Sequence, residues 1–282
     1  MNKLFLATSI SMSIMLVSCG DKQNEEIAEN VTAEVSKDTT PITVNEETKF
    51  KFDFAIANIP SPVGSVNEFS NWGVDYNNTL LLDAKKQSAT TEFSKAVLLG
   101  IENIDMSYAM INSKGEDVLK YMKTVMKTSD ELGLKNAVDQ MVGKRAEQNI
   151  SNKDSLLKIL DEIFVKSDSY LRTNERVFTA SSVFAGSWIE GLYLTCKVAE
   201  LINDASVKEK AYKHIWDQRF YLKNLTDLLN DYKDKKECVA LNDELKKIHT
   251  EIDAIKDPKD MKDANFKTIS EKIYALRASI IK

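Results

Sequence analysis

No proline interrupts this chain between Pro62 and Pro258. Proline removes a backbone donor and breaks helix interiors, so a proline-free stretch of this length leaves helix open throughout. The remaining prolines, Pro41 and Pro60, lie near the N-terminal side. Glycine is scarce, and several glycines fall where helices should stop. Ala, Leu, Lys, Glu and Met, all strong helix formers, fill most of the interval. No Asn-Gly or Asp-Gly hairpin turn occurs.

Apolar spacing agrees. Phe93, Ala96, Val97, Gly100, Ile101, Ile104, Tyr108 and Ile111 fall on one helical stripe, which predicts a helix over 90–112. Gly115 is expected at its end. A second helix is predicted over 116–132, with Gly133 as C-terminal cap, and a third over 135–149. Ser151 or Asn152 can cap a fourth, carrying Leu156 to Leu171. The most apolar follows over about 174–203, and three more over about 206–234, 237–256 and 263–281. About eight helices with short connections make an all-α domain of antiparallel neighbours, an irregular bundle or stacked hairpins. Residues 52–75 are the exception. Each proline of Ile59-Pro60-Ser61-Pro62 biases its predecessor away from α. An extended segment is expected to wrap over the bundle, carrying Phe52, Phe54, Ile56 and Trp72.

Residues 1–18 read as a secretory signal. Lys3 precedes a short apolar run, and Leu16-Val17-Ser18-Cys19 has the form of a lipobox. The apolar run is too short to span a bilayer, which needs about 20 apolar residues. The reading predicts cleavage before Cys19, acylation of its thiol and attachment to the cell envelope, at the outer membrane. Residues 19–51 then form a tether. It holds eight acids and four bases, a net −4 in a chain of −5. Low hydropathy and one-signed charge favour a solvated, extended coil. With Lys3 set aside, residues 52–282 are left at −2. A near-neutral domain with no basic stripe gives no case for nucleic acid.

Catalytic and metal motifs are few. His214 and His249 fall on different predicted helices, and neither has a carboxylate three residues before it. No metal site and no cofactor is therefore predicted. Cys196 and Cys238 lack a Cys-x-x-Cys arrangement. An envelope protein permits a disulfide between them, and two buried free thiols are the other possibility. No Gly-x-Ser-x-Gly, Walker loop or dinucleotide-binding glycine run is present.

One group of residues is unusual for core helices. Ala185-Gly186-Ser187-Trp188-Ile189-Glu190-Gly191-Leu192-Tyr193 places an acid and an indole among apolar and small residues. Gly186 and Gly191 each cost about 1 kcal/mol relative to Ala inside a helix, which suggests close approach by a backbone or a ligand. Asp105 and Tyr108 share a face at i, i+3, and Asn174-Glu175-Arg176 starts the glycine-bearing helix. Asp105, Tyr108, Glu190 and Arg176 are expected to satisfy one another in a buried polar network. If a ligand or partner cleft exists, its residues are Asp105, Tyr108, Asn174, Arg176, Trp188, Glu190 and Tyr193.

Ile59-Pro60-Ser61-Pro62, Leu98-Leu99-Gly100-Ile101, Asp105-Met106-Ser107-Tyr108-Ala109, Asp154-Ser155-Leu156-Leu157, Leu171-Arg172-Thr173-Asn174-Glu175-Arg176 and Trp188-Ile189-Glu190-Gly191-Leu192-Tyr193 resemble an uncharacterised family of Bacteroidetes lipoproteins. The resemblance covers about residues 56–200. It implies a lipidated helical protein with an envelope address and carries over no catalytic residue. Three expectations follow. The first is a non-enzymatic module binding an envelope protein or a small ligand. The second is a hydrolase or transferase using Asp105 and Glu190. The third is a structural subunit of an envelope complex.

Overall fold

The computed structural model describes residues 51–53, 66, 68–83, 89–134 and 176–281, with eight single positions between 145 and 162. All lie in the compact unit Ile42–Lys282. The domain is all-α. Its long described helices are α1 (Glu92–Ile111), α2 (Gly115–Glu131), α3 (Val177–Ala199), α4 (Ala205–Leu229), α5 (Lys236–Asp253) and α6 (Asp263–Ile280). Arg145, Gln148, Ser155, Lys158, Ile159 and Glu162 are helical where the third and fourth predicted helices lie. The Asn152 side chain accepts the Ser155 amide at 3.0 Å, which is the predicted cap. Arg145 pairs with Glu162 at 2.8 Å and so joins the two stretches.

Local chemistry sets the boundaries. Thr91 and Ser94 form a reciprocal cap at the start of α1. Asp204 accepts the Ser206 and Val207 amides at the start of α4, and α3 ends at Ala199, short of the predicted 203, where the Leu201 and Ile202 amides turn back to the Val198 and Ala199 carbonyls. Gly133, at φ +69°, ends α2 as expected. The turn after α1 differs from the prediction. Ser113 takes the left-handed conformation at φ 56°, while Gly115 is the first residue of α2. The Lys114 amide reaches back to the Ala109 carbonyl at 2.9 Å, and that bond fixes the turn two residues earlier.

The principal packing is α1 against α3, with α2 on α1 and the α4–α5 hairpin and α6 completing the layers. Gly100 and Gly186 meet where α1 crosses α3. A methyl group on Gly100 would overlap the Val183 carbonyl oxygen and lie 2.6 Å from the Ser187 amide nitrogen. One on Gly186 would overlap the Val97 carbonyl, 2.8 Å from its carbon. Only glycine permits backbones this close. The cost of Gly186 is thus explained by a neighbouring backbone. Gly191 differs, because a methyl group there would meet nothing within 4 Å.

The segment before α1 also departs from expectation. Lys51, assigned above to the tether, is helical with Phe52 and Asp53 and bonds Asp231 at 3.0 Å. Glu68–Asn71 is a 3-10 turn, not extended chain. Its tight winding stacks Phe69 near Trp72, with ring centroids 5.2 Å apart, and buries both. Phe52 is buried as well. Phe54, Ile56 and the Ile59-Pro62 stretch lie outside the described residues. No described helix is long and apolar enough to cross a membrane.

Candidate functional site

Three elements bring three charged side chains into the core: Asp105 on α1, Glu190 on α3 and Arg277 on α6. Asp105 and Glu190 are 0 % exposed and Arg277 is 7 % exposed. The Arg277 guanidinium grips Glu190 through two bonds, from Nε to Oε2 at 2.6 Å and from Nη2 to Oε1 at 2.8 Å. Such a planar, bidentate pair is the geometry for which arginine is suited. Burial opposes the guanidinium charge, but the Glu190 carboxylate and Asp105 hold Arg277 above its usual value. Asp105 Oδ2 accepts the Leu82 amide at 2.8 Å, while its buried Oδ1 has no hydrogen-bond partner. Burial first, then the Glu190 charge, push Asp105 well above the carboxylate range.

These groups hold one stretch of backbone. Residues 72–82 form a strap across α1, α2, α4 and α6. Tyr121 on α2 donates to the Leu82 carbonyl at 2.7 Å, and Arg277 Nη2 reaches the Leu80 carbonyl at 3.4 Å. Nearer the start of the strap, the Asn77 amide donates to the Tyr108 hydroxyl at 3.3 Å and Tyr76 donates to Asp117 at 2.8 Å. The Tyr108 ring packs against Tyr76 and Phe69 at 5.0 and 6.0 Å. Trp72 meets the edge of His214 on α4 at 6.0 Å, and burial lowers the His214 pKa. Asp105 and Tyr108 thus share a face, as the spacing predicted, and that face grips the strap.

The network runs from Arg277 to the surface. Its guanidinium stacks on the Tyr193 ring at 3.9 Å. Tyr193 meets Tyr274 edge-on at 5.6 Å. Lys197 sits over Tyr274 at 3.7 Å, and the Tyr274 hydroxyl donates to Glu200 at 2.7 Å.

Not every candidate joins this group. Arg176 is elsewhere, at the start of α3. Its Nη1 donates to the Leu132 carbonyl and its Nη2 to Glu92, both at 2.7 Å, which ties the end of α2 to the start of α1. Burial raises Glu92, but bonds from Thr179 and Arg176 outweigh it and hold its carboxyl below the usual range. The expected Arg176–Glu190 association is therefore corrected: the two lie on one helix more than three turns apart. Trp188 is buried with an indole N–H that has no partner. Asn174 lies outside the described residues. Cys196 and Cys238 are free and buried, so the bridge is not formed. The Cys238 thiol turns to the Leu229 carbonyl at 3.8 Å, and burial pushes it up to about 12.

Arg277 is the residue that sequence reading passed over. Its signal is positional: it continues the apolar stripe Phe266, Ile269, Ile273, Leu276 on α6, where a charge needs a buried partner. Among the described residues, no group of three or more His, Cys, Asp or Glu side chains is placed to hold a metal ion. The geometry of the buried triad suits clamping, because no reacting atom from solvent reaches either carboxyl. Comparisons with protein-family models, curated proteins and solved structures gave no match to this chain.

Proposed function

We propose that this chain is a lipid-anchored envelope protein whose helical domain is a non-enzymatic binding or interaction module for another envelope protein or a small ligand. The observation that carries the reading is Leu16-Val17-Ser18-Cys19 behind a short apolar run with one cation. The acyl chains on Cys19 are the membrane contact, and stable anchoring requires more than one. The acidic stretch that follows keeps the near-neutral domain off an anionic surface by charge repulsion. The resemblance to Bacteroidetes lipoproteins supports the same address, the outer membrane.

The non-enzymatic part rests on Asp105 and Glu190. A hydrolase or transferase using this pair needs both at a solvent-reaching cleft, and a general acid must lie within hydrogen-bond reach of substrate. Both carboxyls are fully buried and committed to the strap and Arg277, which favours the binding reading.

The test is metabolic labelling with an alkyne fatty acid in a bacterial host that processes lipoproteins. The wild-type chain is expected to take the label and sediment with membranes, and Cys19→Ala to do neither. Equal labelling of Cys19→Ala would overturn the anchor. Turnover of an envelope substrate by purified protein, lost in Glu190→Gln, would overturn the non-enzymatic reading.

A further inference from the structure

We infer that a single proton, carried by Asp105 Oδ1 and donated to Glu190, locks the 80–82 end of the strap to the bundle. The hydrogen-bond inventory leads there. Asp105 Oδ2 is occupied by the Leu82 amide. Oδ1 is buried and has no hydrogen-bond partner, and the fully buried Glu190 carboxylate acts by its charge on this same carboxyl. Both Glu190 oxygens already accept from Arg277. Two carboxylates cannot bond one another, whereas a carboxyl and a carboxylate can. With the proton on Asp105, every oxygen of the pair has a partner and the triad is neutral. Without it, one guanidinium faces two buried carboxylates, and the excess negative charge has no solvent.

The surroundings give the lost proton no substitute. From α2, Tyr121 faces the pair, but its hydroxyl is committed to Leu82 and burial raises its pKa. From α3 come Glu190 itself and Tyr193, whose ring underlies Arg277. From α6 comes Arg277. The strap presents backbone only, through Leu80 and Leu82. Arg277 is thus the one cation among these facing groups.

The sign of the linkage follows. Unfolded Asp ionises near pH 3.9, while folded Asp105 keeps its proton to higher pH. Its stabilising effect is complete below the unfolded value and is lost as pH rises towards the folded one. Within that window the folded state holds one more proton than the unfolded. The folding equilibrium then falls about tenfold per pH unit. The strap is therefore tightest in acid and loosens as pH rises.

The test compares the full-length chain in detergent with Asp105→Asn, by denaturant unfolding from pH 5 to 9. Asn mimics the neutral acid: its amide donates to Glu190 and its oxygen accepts from Leu82. The ratio of variant to wild-type folding constants is expected to rise about tenfold per pH unit until Asp105 ionises. Glu102, pushed up to about 7 by burial, titrates in both chains and cancels. Parallel pH profiles would overturn the inference. Should Asp105→Asn fail to fold, wild-type protein labelled at aspartate carboxyl carbons gives the answer alone. A resonance in the neutral-acid position at pH 7 supports the shared proton, and all resonances in the ionised position overturn it.

Discussion

The α1–α3 crossing and the α4–α5 hairpin solve the same packing problem in opposite ways. In α5 the buried positions are Cys238, Leu241, Asn242, Leu245, Ile248 and Ile252, a single stripe at helical spacing. Its outer face carries surface pairs such as Lys247–Glu244, and α4 carries Lys213–Asp217 and Lys223–Asp227. In α1, every residue from 96 to 111 is buried. A helix covered on all sides has no solvent face to orient it, so specificity must come from elsewhere. Gly100 and Gly186 set the crossing by backbone contact, and Asp105, Glu190 and Arg277 fix which faces meet. Surface helices are oriented by hydrophobicity, and the central pair is oriented by shape and buried charge.

That contrast can be broken by substitution. Arg277→Met has the largest expected effect. It leaves Glu190 buried without its cation, and loss of one partner of a buried pair costs about 3–5 kcal/mol; urea unfolding of the full-length chain reads it. Gly100→Ala is next, at about 1–3 kcal/mol, because the methyl group overlaps a backbone that cannot move aside cheaply. Gly191→Ala sharpens the comparison from the same helix pair. With open space for the methyl group, it is expected to stabilise by about 0.5–1 kcal/mol. A loss there would show that glycine matters in α3 for something other than backbone approach. Lys223→Ala has the smallest effect. Its exposed i, i+4 partner Asp227 is worth about 0.3–0.5 kcal/mol, visible as a shift in unfolding midpoint that disappears in high salt.

The same contrast explains what was legible in the sequence. The proline-free interval and the helical stripes identify the all-α class, and the ends of α1, α2, α5 and α6 fall close to their predicted limits. The amphipathic helices announce their buried face directly. In α1 the stripe identifies the helix but not that all its faces are covered, and acids on apolar segments mark Asp105 and Glu190 as buried. Their partner was not legible in the same way. Arg277 lies 87 residues from Glu190 in sequence, and a lone arginine on a terminal helix resembles the solvated lysines around it. In sequence, proximity to the glycine-bearing segment places Arg176 with the network. Yet a residue at a helix start reaches neighbouring helix ends, here Leu132 and Glu92. The proposed role of Cys19 rests on a third kind of signal, the lipobox-like run Leu16-Val17-Ser18-Cys19, which is read from residue chemistry and not from the fold.

The central claim is that Glu190 and Arg277 act as one structural clamp on the strap. Its most direct test is the coupling energy from a double-mutant cycle of Glu190→Gln and Arg277→Met, measured by urea unfolding of the full-length chain at pH 7. A clamp predicts strong non-additivity, on the order of 1–3 kcal/mol, with the double variant more stable than the sum of the single losses allows. Additive losses, with a coupling near zero, would contradict it.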